Sequence, residues 1–203
     1  MRKHIRRAVF LAVLVAAAWF GGVLADSNAL REDILRLHVV ANSDRDADQE
    51  VKLQVRDAIL ATLDEALSNV TDVQQARAYI NQMLPQLTQV ANQVLRQAGI
   101  TDSAQVSLGV EEFPVREYDS FTLPSGLYQS LRVTIGEGEG HNWWCVVFPK
   151  LCMSATTEEF MEAAAMEGMP DSLSGSLTGE YEIRFWLLDQ IGKIENFLHR
   201  DSE

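Results

Sequence analysis

Hydrophobic positions along the chain follow two periods, and the change from one to the other falls near residue 100. Around Ile34–Val40 apolar and polar residues alternate, which predicts a β-strand with one firmly apolar face. Apolar residues then recur every three or four positions from Val51 to Leu67, which predicts an amphipathic helix of roughly twenty residues. A second helical stripe runs from Val73 to Ala98 and ends at Gly99, a favourable C-cap; Pro85 is expected to kink this helix rather than end it.

Candidate N-caps precede both predicted helices. Ser43 and Asp46 have capping-box spacing ahead of the first helix, and Thr71 and Gln74 have it ahead of the second. We therefore expect the hydroxyl groups of Ser43 and Thr71 to satisfy backbone N–H groups in the first turns.

The second half of the chain has the period of extended structure. Short β-type runs cover residues 104–113, 127–135 and 143–148, and prolines and glycines separate them. A polar loop covers about 166–179, and Tyr181–Arg200 is predicted as a strand-like start followed by an amphipathic helix. The order predicts an α+β fold: two long N-terminal helices packed on one face of a mostly antiparallel sheet, with a C-terminal helix.

The first 25 residues have the pattern of an export signal. Four basic residues precede an apolar run from Ala8 to Leu24, and small residues lead to Ala25 before Asp26. The run covers about 25 Å as a helix, slightly less than the roughly 30 Å of a bilayer core, so both a cleaved signal peptide and a retained membrane anchor stay open. Residues 26–203 are predicted to form a single extracytoplasmic domain.

Charge restricts the partners of this domain. The 203-residue chain has a net charge of −12, and its N-terminal segment holds four of the 17 basic residues and none of the 29 acidic ones. Residues 26–203 therefore have a net charge near −16. Nucleic acids and anionic lipids bind to clustered Lys and Arg, so the composition argues against both and favours a basic partner.

The segment Gly136–Cys152, GEGEGHNWWCVVFPKLC, has the residue types of a functional site. A phosphate-binding glycine loop opens a helix, whereas these glycines carry two carboxylates and lead into a strand pattern. His141 and Cys145 are four residues apart, about 13 Å along a strand, which is too far to share a metal ion. We therefore predict neither a cofactor nor a metal site, and expect an inter-strand turn at the glycines.

Cys145 and Cys152 are the two cysteines of the chain. Exported proteins usually oxidise such pairs, so a Cys145–Cys152 disulfide is predicted, worth roughly 2.5 kcal/mol in the chain-entropy model. Two partly buried free thiols are the alternative, because the spacing alone does not ensure geometry that can be bridged.

The roles of two tryptophans and of the polar residues at the end of the first predicted strand have alternative interpretations. Trp143 and Trp144 are expected on opposite sheet faces, each as a core residue or as an anchor for a partner. His38, Ser43 and Asp44 have the residue types of a hydrolase triad, but helix capping explains the serine and the aspartate equally well.

Two segments carry a family resemblance: LRLHVVANSDRDADQEVKLQVRDAIL, residues 35–60, and IGEGEGHNWWCVVFPKLC, residues 135–152. Together they resemble stage II sporulation protein R of endospore-forming bacteria. The resemblance extends from about residue 30 to about residue 152. In the family pattern the residue at the position of His141 varies, which argues against His141 as a required ligand or base, and a proline is usual where Lys150 stands.

The resemblance implies a signalling protein rather than an enzyme. Such a protein is made in the forespore and exported into the space between forespore and mother cell. There it activates a mother-cell membrane protease that processes a sigma factor precursor. It would be secreted, or anchored by residues 8–24. The sequence identifies seven candidate partner contacts: His38, Asn42, Ser43, Asp44, Glu137, Glu139 and Trp143.

An exported hydrolase or cell-wall-processing enzyme is the alternative function. It would use His38 with Ser43 or Cys145. No catalytic residue is assigned in the preferred hypothesis.

Overall fold

The computed structural model describes residues 2–117, 122–148 and 182–200, which form both helices and strands. In chain order they are α1 (Arg2–Asp33), β1 (Leu35–Val40), α2 (Asp46–Ala66), α3 (Val73–Gln97), β2 (Ala104–Phe113), β3 (Arg116–Glu117), β4 (Thr122–Leu123), β5 (Gly126–Ile135), β6 (Asn142–Phe148) and α4 (Glu182–Arg200). The predicted loop at 166–179 lies outside the described residues, as do Pro149 and Cys152.

The main sheet has the strand order β2-β5-β1-β6, and the short strands β3 and β4 pair separately. Strand β5 runs antiparallel to β2 and parallel to β1, while β6 runs antiparallel to β1. The expected α+β class, with a mostly antiparallel sheet and a C-terminal helix, is confirmed. Because β5 and β6 flank β1, the connection between them must pass over the C-terminal end of β1.

The core lies between α2, α3 and one face of the sheet. Its helical members recur every three or four residues, and its β1 members alternate along the strand, because both periods bring apolar side chains to one side. The fully buried residues of this cluster include Leu35, Leu37, Val39, Val55, Ile59, Ile80, Leu87, Leu131 and Val133. Pro85 lies inside α3 and does not end it, as expected.

The two ends of α3 test the predicted caps. Asp72 is the N-cap, and its carboxylate accepts hydrogen bonds from the backbone N–H groups of Gln74 at 2.6 Å and Gln75 at 3.0 Å. The prediction of Thr71 as the cap is wrong by one residue, since a carboxylate stands next to it. Gly99 has φ +72° just beyond the helix, so the predicted glycine cap is confirmed.

The strand-like start expected for the last segment is wrong. Helix α4 begins at Glu182, one residue after the predicted start, and continues to Arg200. β-propensity is weak and depends on context, so Ile183, Phe185 and Trp186 adopt the helical conformation of the segment that they begin.

Helix α4 is fixed to the turn between β4 and β5 by polar and close contacts. Asp189 accepts hydrogen bonds from the Ser125 backbone at 3.2 Å and its hydroxyl at 2.8 Å, and pairs with Lys193 at 2.6 Å. A Cβ on Gly192 would overlap the Ser125 carbonyl, so the helix approaches as closely as it does because this residue is glycine. Burial opposes ionisation of Asp189, but the contacts to Lys193 and Ser125 outweigh it and lower its pKa.

Helix α1 carries the apolar N-terminal run. Its segment Lys3–Gly22 is long and apolar enough to cross a membrane, with a mean hydropathy of 1.6, and none of it is buried in the protein. This arrangement is consistent with a signal peptide or an anchor.

Candidate functional site at the end of strand β1

Asn42 joins the loop after β1 to the glycine-rich loop that passes over it. Its side-chain oxygen accepts from the backbone N–H of Glu137 at 3.0 Å, and its side-chain nitrogen donates to Asp102 at 3.2 Å. The backbone N–H of Glu139 donates to the Asn42 carbonyl at 3.2 Å. Since the two backbones are held in this way, the exposed carboxylates of Glu137 and Glu139 stand on a fixed loop.

The glycines of this loop are required by its path. Gly136 and Gly138 have φ of +56° and +67°, which L side chains rarely adopt. A Cβ on Gly136 would overlap the side chain of Asn42, and one on Gly140 would overlap the carbonyl of Ser43. The expected tight inter-strand turn is therefore confirmed, and its glycines serve close approach to the end of β1.

Ser43 bonds to a buried carboxylate rather than capping α2. Its hydroxyl donates to Asp48 Oδ2 at 2.5 Å, and Arg45 pairs with the same oxygen at 3.0 Å. The hydrogen bond from Ser43 is the main cause of a lowered Asp48 pKa; burial opposes the effect and Arg45 adds to it. The predicted capping box with Asp46 is wrong: the N-cap is Arg45, and it makes no side-chain capping bond.

Lys52 ties α2 to the start of β6. Lys52 is 5% exposed, and its ammonium donates to the His141 carbonyl at 3.0 Å and to Gln49 at 2.6 Å. Burial lowers the Lys52 pKa, while the nearby Asp44 acts in the opposite direction. Asp44 also accepts from the His141 backbone at 2.7 Å and pairs with its ring at 2.5 Å. His141 thus acts as a surface partner of Asp44.

A second polar cluster lies on the sheet face opposite the main core. His38 Nδ1 is 3.3 Å from both carboxylate oxygens of Glu111, and its Nε2 is 2.9 Å from Asn142 Oδ1. Arg132 pairs with Glu111 at 2.6 Å. Burial disfavours the charge on Glu111, but the His38 hydrogen bond and charge, with Arg132, lower the Glu111 pKa to about 2. Both ring nitrogens of His38 are therefore engaged, and a carboxylate requires Nδ1 to be the donor.

The paired tryptophans lie on opposite faces, as expected. In the β1–β6 register Trp143 is opposite Val39 and Trp144 is opposite His38. Trp143 is half-buried against the main core, with the Arg56 guanidinium 4.2 Å from its ring centre. Trp144 packs against His38, and the centroids of the two rings are 5.5 Å apart. Each tryptophan is thus a packing residue with part of its surface exposed.

The seven predicted contact residues are only partly brought together. The two loops at the end of β1 hold five of them: Asn42, Ser43, Asp44, Glu137 and Glu139. His38 is buried on one sheet face and Trp143 is half-buried on the other. Their role in binding stays a prediction.

The catalytic pairs proposed for a hydrolase do not form among the described residues. Cys145 lies opposite Leu37, so its side chain is on the other sheet face from that of His38. Ser43 donates to Asp48, while the His38 nitrogens face Glu111 and Asn142.

Cys145 is 3% exposed and its sulfur is held in a disulfide. Cys152 lies outside the described residues, so the pairing of the two stays a prediction. In the described ranges no group of three or more His, Cys, Asp or Glu side chains is arranged to hold a metal ion.

Sequence reasoning missed five residues of these clusters. Asp48 and Lys52 occupy positions of the helical stripe that continues through the buried residues of α2, so a charge at a core-facing position was the available signal. Glu111, Arg132 and Asn142 carried no such signal, because their proximity to His38 depends on the strand register.

Together these features define an α+β domain that follows an apolar N-terminal helix. Residues 31–158 match the family described as stage II sporulation protein R. The chain is 30% identical over 160 residues to the stage II sporulation protein R of Bacillus subtilis (strain 168), covering 75% of this chain and 71% of that relative. No solved structure gives a significant match. The chain therefore belongs to the stage II sporulation protein R family and has a role in sporulation.

Proposed function

We propose that this chain is an exported sporulation signal that is made in the forespore. It acts between forespore and mother cell by activating a mother-cell membrane protease that processes a sigma factor precursor. Membership of the stage II sporulation protein R family supports the proposal. The exposed apolar segment Lys3–Gly22 provides the means of export, either as a cleaved signal or as an anchor.

The observation that carries the proposal is the loop surface at the end of β1. Asp44, Glu137 and Glu139 are exposed there, on backbones fixed by hydrogen bonds within the chain. A fixed acidic surface suits a basic patch on the extracytoplasmic side of the protease. Activation needs only tighter binding to the active state of the protease than to the inactive state.

A charge reversal tests this surface. In a sporulating host that lacks its own copy, Glu137→Lys should weaken co-precipitation of the full-length chain with the protease and reduce precursor processing. Among the described residues Glu137 bonds through its backbone N–H to Asn42, so the fold should be unchanged. Glu65→Lys, an exposed acidic residue of α2, is the matched control. Normal processing with Glu137→Lys would argue against the loop as the contact, and failure of the whole chain to recover a membrane protein would argue against the function.

The proposed protein is not an enzyme. Its described serine, histidine and cysteine candidates are separated or engaged elsewhere, so alanine at Ser43 should leave signalling intact once folding is matched. His38→Ala and Cys145→Ala complete the series. Loss of signalling by a variant that still folds and still binds the protease would favour the hydrolase instead.

The proposed Cys145–Cys152 bridge has a direct test. Intact mass and alkylation of the exported protein should show no reactive thiol before reduction and two after it. Two alkylated thiols in the unreduced sample would remove the disulfide from the proposal.

A further inference from the structure

Helix α4 leaves several large apolar residues exposed, although Leu188 on its packed side is buried. The side that faces the sheet and the β4–β5 turn includes polar and small residues, among them Asp189, Gly192 and Asn196. Among the α4 residues whose side chains the structure describes, the large apolar ones that are more than half exposed are Trp186, Ile194, Phe197 and Leu198. A helix on a soluble domain normally buries its apolar face and exposes its polar one.

The exposed residues form one face rather than isolated positions. Trp186, Ile194, Phe197 and Leu198 are spaced eight, three and one residues apart, which places them within about 120° around the helix at 100° per residue. A mainly apolar face of this kind, which also includes Gln190, marks an interaction surface. A polar face joined to an apolar face containing Trp, Phe and Leu is the pattern of a helix that lies in a membrane interface.

Helix α1 indicates which surface covers this face. The segment Lys3–Gly22 is apolar, exposed and long enough to cross a bilayer, and α1 contacts α4. Since α1 ends at Asp33, the contact lies no more than about 16 Å beyond the span at 1.5 Å per residue. A bilayer crossed by the span would therefore have its surface close to α4.

We propose that the exposed face of α4 inserts into the interfacial layer of the membrane that α1 crosses. Four basic residues precede the apolar run that begins at Ala8 and favour a cytoplasmic N-terminus, so this layer belongs to the outer leaflet. The domain is then held against the membrane at two points, α1 and α4, in one orientation. Because residues 26–203 are strongly acidic, insertion depends on apolar contact and not on anionic headgroups.

The test uses the full chain labelled with 5-fluorotryptophan, in nanodiscs of zwitterionic lipid. A fraction of the lipid carries a nitroxide near the headgroup end of its acyl chain. The chain has four tryptophans, and Trp→Phe variants assign their ¹⁹F resonances. The nitroxide should broaden Trp186 on α4 and Trp19 in the span several-fold, and leave Trp143 sharp because it packs against the main core. Higher salt should not reverse the effect.

A pair of variants links the broadening to the apolar face. Phe197→Ser combined with Leu198→Ser should reduce the broadening of Trp186, whereas Tyr79→Ser should not, since Tyr79 is a half-exposed aromatic residue on α3. Urea unfolding of each variant confirms that the fold is retained.

Three results would overturn the proposal. A sharp Trp186 beside a broadened Trp19 would mean that a second copy or another protein covers α4. A sharp Trp19 would mean that α1 does not cross the bilayer. Equal broadening of Trp143 and Trp186 would mean that the domain approaches lipid without preference for α4.

Discussion

Glu111 is the charged centre of the cluster around His38, and replacing it with glutamine tests how that cluster stabilises the fold. Glu111→Gln keeps the size of the side chain but removes the negative charge that lies 3.3 Å from His38 Nδ1 and 2.6 Å from Arg132. Arg132 would then stand beside a neutral amide, and His38 would lose its carboxylate hydrogen-bond partner. We expect a less stable protein with the same fold.

The size of the loss follows from the Glu111 pKa. A decrease from its ordinary 4.5 to about 2 corresponds to roughly 3 kcal/mol in favour of the charged form, at about 1.4 kcal/mol per tenfold change in proton affinity. The Glu111 side chain is 16% exposed and that of Arg132 is 42% exposed, so solvent screens part of this. We therefore expect Glu111→Gln to lower the free energy of unfolding by about 2 kcal/mol at neutral pH.

The dependence on pH has a definite sign. The folded pKa of Glu111 is below its unfolded value, so the stabilisation is fully present above about pH 4.5 and is lost as the pH falls towards 2. The difference between the native chain and Glu111→Gln should therefore shrink by roughly half between neutral pH and pH 3.

The assay is urea unfolding of the full chain in mild detergent, followed by tryptophan fluorescence across this pH range. Glu112→Gln is the matched control, because Glu112 is the neighbouring residue on β2 and its partner Arg200 is 74% exposed. The control substitution should lower the free energy of unfolding much less than Glu111→Gln does. Equal losses for the two variants, or a Glu111→Gln loss that does not change with pH, would refute the reasoning.

Three further substitutions test the loop, a helix cap and the docking of α4. Gly140→Ala should destabilise the protein by about 2 kcal/mol in urea unfolding, because its Cβ meets the neighbouring backbone; Gly109→Ala has open space and should be nearly neutral. Asp72→Ala should cost about 1 kcal/mol in thermal unfolding, and Thr71→Ala almost nothing. Asp189→Asn should reduce the hydrogen-exchange protection of α4 at neutral pH. In the native chain the folded pKa of Asp189 lies below its ordinary 3.8, so the protection of α4 should fall only when the pH is lowered below about 4. Equal hydrogen-exchange protection of α4 in the native chain and in Asp189→Asn would count against this contact.

The spacing of apolar residues along the sequence was sufficient to predict most helices and strands of the fold. The helical periods that run through Val51 to Leu67 and Val73 to Ala98 identify α2 and α3, although α2 begins earlier, at Asp46, and the alternation at Ile34–Val40 identifies β1. Errors occurred where several residues could make the same contact. The choice between Thr71 and Asp72 as the cap depends on backbone geometry that sequence spacing does not specify.

The candidate site was harder to predict because its contacts are distant in sequence. His38 is 73 residues from Glu111 and 104 from Asn142, and only the strand order β2-β5-β1-β6 brings them together. The contacts that hold α4 are just as distant in sequence, since Asp189 is 64 residues from its partner Ser125.

The glycine-rich loop explains why the two segments that carry the family resemblance belong together. Strands β5 and β6 flank β1, so the chain must cross the end of β1, and it can do so closely only where Gly136 and Gly140 leave room for Asn42 and Ser43. The polar groups of these residues are used in holding the crossing together. The exposed carboxylates on the loop are then what the arrangement offers to its surroundings, which is why we propose a binding surface there instead of a reaction centre.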